Sequence, residues 1–158
     1  MTKLMWKPGT MLYPVPSVMV SCSNAKGESN IITIAWTGIV CSDPAMLYVS
    51  IRPERYSYDM IKETGEFVVN IPTRQLAFAT DFCGVKSGRE VNKFEHLKLS
   101  AGKSNQVGAP LIEECPVNLE CKVKEIIKLG THDMFLAEIL CVDVTESLLD
   151  SKGKLQLN

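Results

Sequence analysis

The chain has 158 residues, of which 46% are hydrophobic and 22% are charged, and its formal net charge is −1. This length is typical of one domain with its own hydrophobic core, so we expect a single domain over residues 1–158. The 17 basic residues are scattered along the chain rather than clustered, which argues against a basic stripe and against a nucleic-acid partner.

The sequence also bears on where the protein works and on the state of its thiols. No apolar run approaches the roughly 18 residues of a transmembrane helix, and the start, MTKLMWKPGT, lacks the apolar core of a signal peptide. We therefore expect a cytoplasmic protein with no membrane partner, in which the six cysteines remain reduced. No two cysteines have C-x-x-C spacing, so we interpret them as small buried hydrophobic residues and predict no metal site.

The first third of the chain predicts three strands. Residues 17–22 form a short apolar run, a turn cluster follows, and residues 30–36 are rich in β-branched side chains. These two segments together predict a hairpin. After the turn marked by Asp43-Pro44, residues 45–51 predict a third strand.

A short helix is predicted directly after the third strand, over residues 58–64. Ser57 is a suitable N-cap, and Asp59 stands in the first turn, where the helix dipole favours a carboxylate. Gly65 stands in the position of a C′ residue, which would end the helix. Ile61 is expected on the inner face of this helix.

The middle of the chain changes from regular to irregular structure. Residues 66–71 predict another strand, and residues 74–82 predict a helix that ends near Gly84. Residues 85–114 are polar and broken by glycine and proline, which predicts loops with one short helix near residues 91–95. Such a long irregular stretch is uncommon unless it lines a site or an interface.

Two strands are predicted near the C-terminal end. Apolar and polar side chains alternate over residues 117–124, with Asn118 and Glu120 on the polar side, which is typical of a strand with one wet face. Residues 134–144 form a long apolar strand. With six or seven strands, two or three short helices and no repeating βαβ pattern, the chain is predicted to be mainly β, an antiparallel β-barrel with short peripheral helices.

Residues 50–57, SIRPERYS, form the first candidate site, at the end of a strand and the start of a helix. A helix start offers unpaired backbone amides and the positive end of the helix dipole, and Arg52 and Arg55 add forked donors for phosphate oxygens. The segment is therefore a candidate phosphate site. A solvated turn with surface arginines has the same composition and stays an open alternative.

Residues 30–37, NIITIAWT, form the second candidate site. Ala35 is small enough to let a flat ring approach the backbone, and Thr37 offers a hydroxyl, although an ordinary core strand accounts for the same residues. His132, in the turn before the last strand, is a third candidate. A lone histidine in a turn is more often solvent-exposed than functional, so His132 has no strong claim from its position alone.

Four segments, taken in order, resemble one known family. They are PVPSVMVSCSNAKGESNIITIAWTGIVCSDPAMLYVSIRPERYSYDMI, TGEFVVNIP, DFCGVKSGREVNKFE and GTHDMFLAEILCVDV. In this order they resemble the flavin reductase-like family of FMN-binding split barrels, close to its flavoredoxin branch. The resemblance implies an FMN-bound homodimer that accepts hydride from NADH or NADPH or exchanges electrons with protein partners.

The resemblance also implies a role for individual residues. The segment from Asn30 to Ser57 would bind FMN, with His132 near the reactive face of the flavin as the catalytic candidate. The isoalloxazine ring would lie against Ile34, Ala35, Trp36 and Thr37, and Ser50, Ile51 and Arg52 would continue along the flavin. Arg55, Ser57 and Lys93 would hold the phosphate, with Tyr56 beside them.

Two points of function stay open at this stage. The first hypothesis is an NAD(P)H-dependent FMN oxidoreductase that passes electrons to a small-molecule or protein acceptor. The alternatives are a flavoredoxin-type electron-transfer protein that a protein partner reduces, and a binding module that keeps the barrel without flavin. Family members usually continue past the equivalent of Lys154 with a segment that packs beside the flavin cleft, whereas this sequence ends at Asn158. Which residues cover the nicotinamide side of the cleft is therefore the second open point.

Overall fold

The computed structural model describes residues 1–156, and its main element is a seven-stranded antiparallel sheet. The strands are β1 (Val18–Ser23), β2 (Ser29–Ile34), β3 (Thr37–Ser42), β4 (Ala45–Ile51), β5 (Glu66–Ile71), β6 (Ala101–Gly102), β7 (Leu111–Ile112), β8 (Val117–Lys128) and β9 (Asp133–Val144). The helices are α1 (Tyr56–Thr64), α2 (Ala77–Val85) and α3 (Lys93–Leu97), with short 3-10 turns at Arg74–Leu76 and Glu146–Leu148. The predicted mainly β, antiparallel fold is confirmed.

The strand order explains why the sheet curls into a barrel. The order is β2-β1-β5-β8-β9-β4-β3, so β2 and β3 are at opposite edges. Only Ala35 and Trp36 lie between the end of β2 and the start of β3. This short connection brings the two edges of the sheet together, but β2 and β3 do not pair with each other. The gap between these two strands is the opening of a split barrel.

Two groups of buried apolar side chains form the core. The first fills the barrel and includes Val20, Val49, Phe67 and Phe135, with Ile61 of α1 packed against it. The second lies outside the barrel, where α2 and α3 cover β1 and β2, and includes Met19, Ile31, Ala79, Cys83, Phe94 and Ile112. These two helices are therefore held against the strand that precedes the barrel opening.

The predicted strands of the first third agree with β1, β2 and β4, but β3 was missed. Residues 37–42 form a strand that the sequence does not predict, which pairs with β4 and lies at an edge of the sheet. Ile39 and Val40 are exposed on it, so the segment lacks the alternation that marks a half-buried strand.

Helix α1 ends as predicted and begins differently. Gly65 has φ +69° and donates its N–H to the Ile61 carbonyl at 2.8 Å, which confirms the helix end. The prediction of Ser57 as N-cap is wrong, because the cap residue is Arg55, without a side-chain cap bond. Ser57 is buried inside the first turn, where its hydroxyl accepts a hydrogen bond from Asn30.

The middle segment is more ordered than predicted. Helix α2 ends at Val85, which confirms the predicted end near Gly84, and a 3-10 turn at Arg74–Leu76 forms the start of the predicted helical stretch. A Cβ atom on Gly84 would lie 3.3 Å from the Cβ of Thr33, so the helix packs closely on β2. The irregular stretch contains α3 two residues later than predicted, together with the small β6–β7 pair. No helix within residues 1–156 is long and apolar enough to cross a membrane.

The prediction that one face of β8 is exposed to solvent is partly wrong. Asn118 and Glu120 are buried, whereas Lys122 and Lys124 are exposed as expected. Glu120 accepts backbone N–H groups from residues 105–107, so a loop covers this end of the strand and satisfies the carboxylate. All six cysteines are free thiols, and four of them are buried, as expected for small hydrophobic residues.

Candidate functional site

A cleft beside the barrel opening consists of two adjoining cavities that share Ile32, Arg55 and Gly84. The first, which we call the strand-side cavity, has a volume of about 170 Å³ and is lined mainly by Ile34, Ala35, Trp36, Ser50, Arg52 and His132. The second, which we call the cationic cavity, has a volume of about 200 Å³ and is lined mainly by Asn30, Tyr56, Ser57, Lys86, Gly88, Arg89 and Lys93. Together they form one cleft from β2 to the start of α1.

Lys93 is the buried cation of the cationic cavity. Its side chain is at the start of α3 and is 3% exposed, and Nζ donates to the carbonyls of Ile31 at 2.6 Å and Cys83 at 2.9 Å. Burial lowers the pKa of Lys93 below its ordinary value of 10.5, and the charge of Arg55 lowers it further. An ammonium has three donors, so one of them is left for a ligand.

The charges around Lys93 are strongly unbalanced. Arg55, Lys86, Arg89 and Lys93 line the cationic cavity, against the single carboxylate of Glu54. Within residues 1–156 none of these four cations has a carboxylate within 4.0 Å, and Glu54 pairs with Arg52 at 3.1 Å. The lining therefore has a net positive charge, and Lys93 keeps one donor free, so the cavity is suited to an anion.

The first turn of α1 closes the cationic cavity on one side. Asn30 Nδ2 donates to Ser57 Oγ at 2.8 Å, which fixes both buried side chains. The first N–H groups of a helix have no partner within it and point towards an anion placed there. Gly88 lies so close to this turn that a Cβ atom on it would be 2.3 Å from Asn30 Oδ1 and 2.6 Å from Tyr56 Cδ1.

The strand-side cavity has a different, mostly apolar wall. Ile34 ends β2, and Ala35 and Trp36 form the connection across the barrel opening. The Ser50 N–H donates to the Trp36 carbonyl at 2.9 Å, which holds this connection against β4. Trp36 remains 43% exposed, so it offers an aromatic surface to a flat ligand.

His132 lies next to Trp36, with 4.5 Å between the two ring centroids. Its Nδ1 is 3.0 Å from Thr131 Oγ1, so Nε2 is the nitrogen left for a ligand. Burial and the charge of Arg52 lower the pKa of His132 below its ordinary value of 6.5. The imidazole is therefore neutral at pH 7 and holds one proton that it can share in a hydrogen bond.

The structure brings nearly all the predicted site residues into this cleft. Those that line one of the two cavities are Asn30, Ile34, Ala35, Trp36, Ser50, Ile51, Arg52, Arg55, Tyr56, Ser57, Lys93 and His132. Thr37 does not line either cavity, and its hydroxyl donates to the Tyr48 carbonyl at 2.5 Å. The hydroxyl oxygen can still accept a hydrogen bond, and the contact of Thr37 with a ring stays a prediction.

Sequence reasoning missed the loop between α2 and α3. Lys86, Ser87, Gly88 and Arg89 all line the cationic cavity. The signal available in the sequence was a glycine between two cations, KSGR, in an irregular stretch that was expected to line a site.

Comparisons with known proteins agree on one family. Residues 10–156 match the family model described as "Flavin reductase like domain". The chain is 34% identical to the flavoredoxin of Desulfovibrio vulgaris (Miyazaki F), with a TM-score of 0.91 over 99% of this chain and 84% of that chain. It is 30% identical to the flavoredoxin of Methanosarcina acetivorans, with a TM-score of 0.88 over 99% and 82%. An uncharacterized protein of Archaeoglobus fulgidus is 37% identical over 89% of this chain and 78% of its own length.

Proposed function

This chain belongs to the flavin reductase-like domain family, and we propose that it binds FMN and works as an NADH- or NADPH-dependent oxidoreductase. The observation that carries the proposal is Lys93, a buried ammonium without a carboxylate partner within residues 1–156, at one end of a cleft whose other end is apolar. FMN has the matching asymmetry, since a phosphate dianion is joined to a flat ring system.

The phosphate of FMN fits the cationic cavity. Lys93 and Arg55 supply two positive charges, and the first turn of α1 supplies unpaired backbone N–H groups beside Ser57. Asn30 holds the Ser57 hydroxyl in place. These residues would bind and orient the phosphate.

The ring of FMN fits the strand-side cavity. Ile34, Ala35 and Trp36 would exclude water from one face of the ring, and the backbone at Ser50 and Ile51 lies along the same cavity. Bound FMN would supply the redox chemistry, taking hydride from a reduced nicotinamide and passing electrons to an acceptor. The neutral His132 would hold a proton at the exposed end of the wall, where its Nε2 can make a hydrogen bond to the ligand.

The same proposal includes a cytoplasmic homodimer. Residues 1–17 have no regular secondary structure, and the side chains of Leu4, Met5, Trp6, Met11 and Leu12 are mostly exposed. Exposed apolar side chains that gather in one patch mark interaction sites. A second copy of the chain would cover it, and free thiols suit a reducing compartment.

A flavoredoxin-type electron-transfer protein is the second candidate function. It is favoured by the 34% and 30% identities to two flavoredoxins. In this alternative the FMN site is the same, and a protein partner rather than NADH or NADPH supplies the electrons.

An anaerobic titration separates these functions. We expect flavin-free protein to quench FMN fluorescence at a 1:1 ratio, and NADH or NADPH then to bleach the flavin absorbance. A protein that binds FMN and bleaches only with a chemical reductant would support the electron carrier. A protein that leaves FMN fluorescence unchanged would contradict both functions.

A further inference from the structure

The loop between β6 and β7, residues 103–110, covers one end of β8 and is held there by a buried carboxylate. Glu120 of β8 is fully buried, and it accepts backbone N–H groups from three loop residues: Asn105 at 2.7 Å, Gln106 at 2.5 Å and Val107 at 3.1 Å. None of these residues lines either cavity of the cleft. The loop is therefore a part of the molecule that the proposed function does not use.

A second carboxyl group, on Asp143 of β9, meets that of Glu120 under this loop. Asp143 Oδ1 accepts a hydrogen bond from Asn105 Nδ2 at 2.8 Å. Asp143 Oδ2 is buried and has no hydrogen-bond partner among residues 1–156. Carboxylate oxygens of Asp143 and Glu120 lie within 4.8 Å of each other. If both groups were ionised, two like charges would face each other and one buried oxygen would stay unsatisfied, which costs free energy.

A single proton removes both of these costs. A protonated carboxyl has an O–H donor, so a proton on Asp143 Oδ2 lets that oxygen donate to Glu120 and cancels one of the two charges. Burial raises the pKa of Asp143 above its ordinary value of 3.8, and Glu120 raises it further. Burial acts in the same direction on Glu120, but the loop N–H groups and Asp143 together hold its pKa below its ordinary value of 4.5. Asp143 is therefore the member of the pair that keeps the proton.

The surroundings of the pair offer no positive charge among residues 1–156. Neither carboxyl group has a cation within 4.0 Å. A third titratable group, the thiol of Cys141 on β9, has its Sγ 4.0 Å from Asp143 Oδ1. Burial raises the pKa of Cys141, and Asp143 and Glu120 raise it further, so this thiol stays neutral. The loop itself presents the amide of Asn105, which does not titrate. A proton is therefore the cation that the pair can recruit from water.

We propose that Glu120 and Asp143 share one proton and form a pH-sensitive latch, which keeps loop 103–110 closed while the proton is bound and releases the loop when the proton passes to water. The same loop forms one wall of a further cavity of about 460 Å³, which the β1–β2 turn also lines. Release of the loop would open this cavity to solvent. The inference goes beyond the proposed function and does not depend on it.

The direction of the pH dependence follows from the state that holds each proton more tightly. An open loop exposes Asp143 to water and returns its pKa towards 3.8, so the closed state binds more protons at this group. The contribution of Asp143 to closure is therefore lost as pH rises through its closed-state pKa. Glu120 has a lowered pKa, so its contribution is lost as pH falls through its closed-state pKa. Closure should be firmest between these two pKa values.

The test compares hydrogen exchange of the backbone amides of residues 105–107 in three proteins, from about pH 4 to about pH 8. Rates are expressed as protection factors, and thermal melting verifies folding. Asp143→Asn keeps the shape of the side chain, and its amide can donate to Glu120 at every pH, so it imitates the protonated carboxyl. Glu66→Gln is the matched control, because Glu66 lies outside the pair and anchors the same loop by accepting the Gly108 N–H at 2.7 Å.

We expect protection in the wild-type protein to fall at least about 10-fold as pH rises, since one pKa unit corresponds to a 10-fold change in the opening equilibrium. Protection in Asp143→Asn should stay constant, and in Glu66→Gln it should be lower but fall with the wild-type midpoint. Protection that does not depend on pH in the wild-type protein, or the same fall in Asp143→Asn, would overturn the proposal.

A second measurement needs no variant. Carbon-13 NMR of the side-chain carboxyl groups follows the titration of Asp143 in the wild-type protein directly. We expect a midpoint above 3.8, together with a change in the amide signals of residues 105–107 at the same pH. A midpoint at or below 3.8, or loop signals that do not follow it, would overturn the latch.

Discussion

The two ends of the cleft are built on opposite principles. At the cationic cavity, Lys93 and Ser57 are buried, and each is fixed by hydrogen bonds to the surrounding structure. At the strand-side cavity, Trp36 is 43% exposed, and His132 contacts Thr131 in its own turn and Trp36 on the connection. Under the proposed function, affinity and reactivity therefore belong to different ends: one end would hold the phosphate, and the other would leave the ring accessible to a reaction partner.

The largest effect on FMN affinity is expected from removing the buried charge of Lys93. Lys93→Met should weaken FMN binding by about 3–4 kcal/mol, roughly several-hundred-fold, because a desolvated charge pair is lost. Fluorescence titration of flavin-free protein measures the effect, and Lys26→Met provides a control that changes the same charge at an exposed position. A loss below about 3-fold would mean that Lys93 does not face the phosphate.

A smaller effect is expected at the exposed cation that both cavities share. Arg55→Ala should weaken FMN binding by about 1.5–3 kcal/mol, since a charge-assisted hydrogen bond is removed. The loss should shrink at high salt, because exposed charges are screened. Arg74→Ala, at an exposed position outside the cleft, serves as the control. An unchanged FMN affinity in Arg55→Ala would move the phosphate to another position.

The apolar end should respond less to substitution. Trp36→Leu keeps an apolar side chain and removes an aromatic contact of about 0.5–1.5 kcal/mol, so FMN affinity should fall by about 10-fold or less. Riboflavin should lose the same factor, because the two ligands share the ring. Calorimetry on both ligands measures this, and a loss confined to FMN would place Trp36 with the phosphate.

The smallest effect concerns protonation of His132. Its pKa, which burial and Arg52 lower, should move up towards 6.5 in Arg52→Gln, as followed by the imidazole proton signals in NMR. Because the folded pKa lies below the unfolded one, the unfolded state binds more protons, so the contribution of His132 to stability is lost as pH falls from 6.5 through the folded pKa. His132→Gln should lack this pH dependence. A pKa at or above 6.5 in the wild-type protein would contradict the lowering by burial and Arg52.

The strands and α1 could be predicted because their patterns are local. The β-branched run of residues 30–36 and the glycine at position 65 favour one conformation whatever surrounds them. The edge strand β3 could not be predicted because Ile39 and Val40 are both exposed, which interrupts the alternation of apolar and polar side chains that marks a half-buried strand. Glu120 was expected on a wet face because its burial depends on a distant loop, residues 105–107.

The same difference between local patterns and distant contacts separates the site residues that could be predicted from those that could not. Arg55 and Ser57 could be proposed from the helix start alone, since the helix dipole is a local property. Lys93 entered only through the family resemblance, because nothing near it in sequence indicates that Ile31 and Cys83 would enclose its ammonium. Lys86 and Arg89 were missed because the path of an irregular loop is not encoded by any periodicity.

The central claim is that the phosphate end of the cleft provides most of the flavin affinity. It is tested most directly by titrating flavin-free wild-type protein with FMN and with riboflavin, which has the ring and lacks the phosphate. The charges of the cationic cavity predict that FMN binds at least about 100-fold more tightly than riboflavin. Equal affinities for the two ligands would contradict the claim.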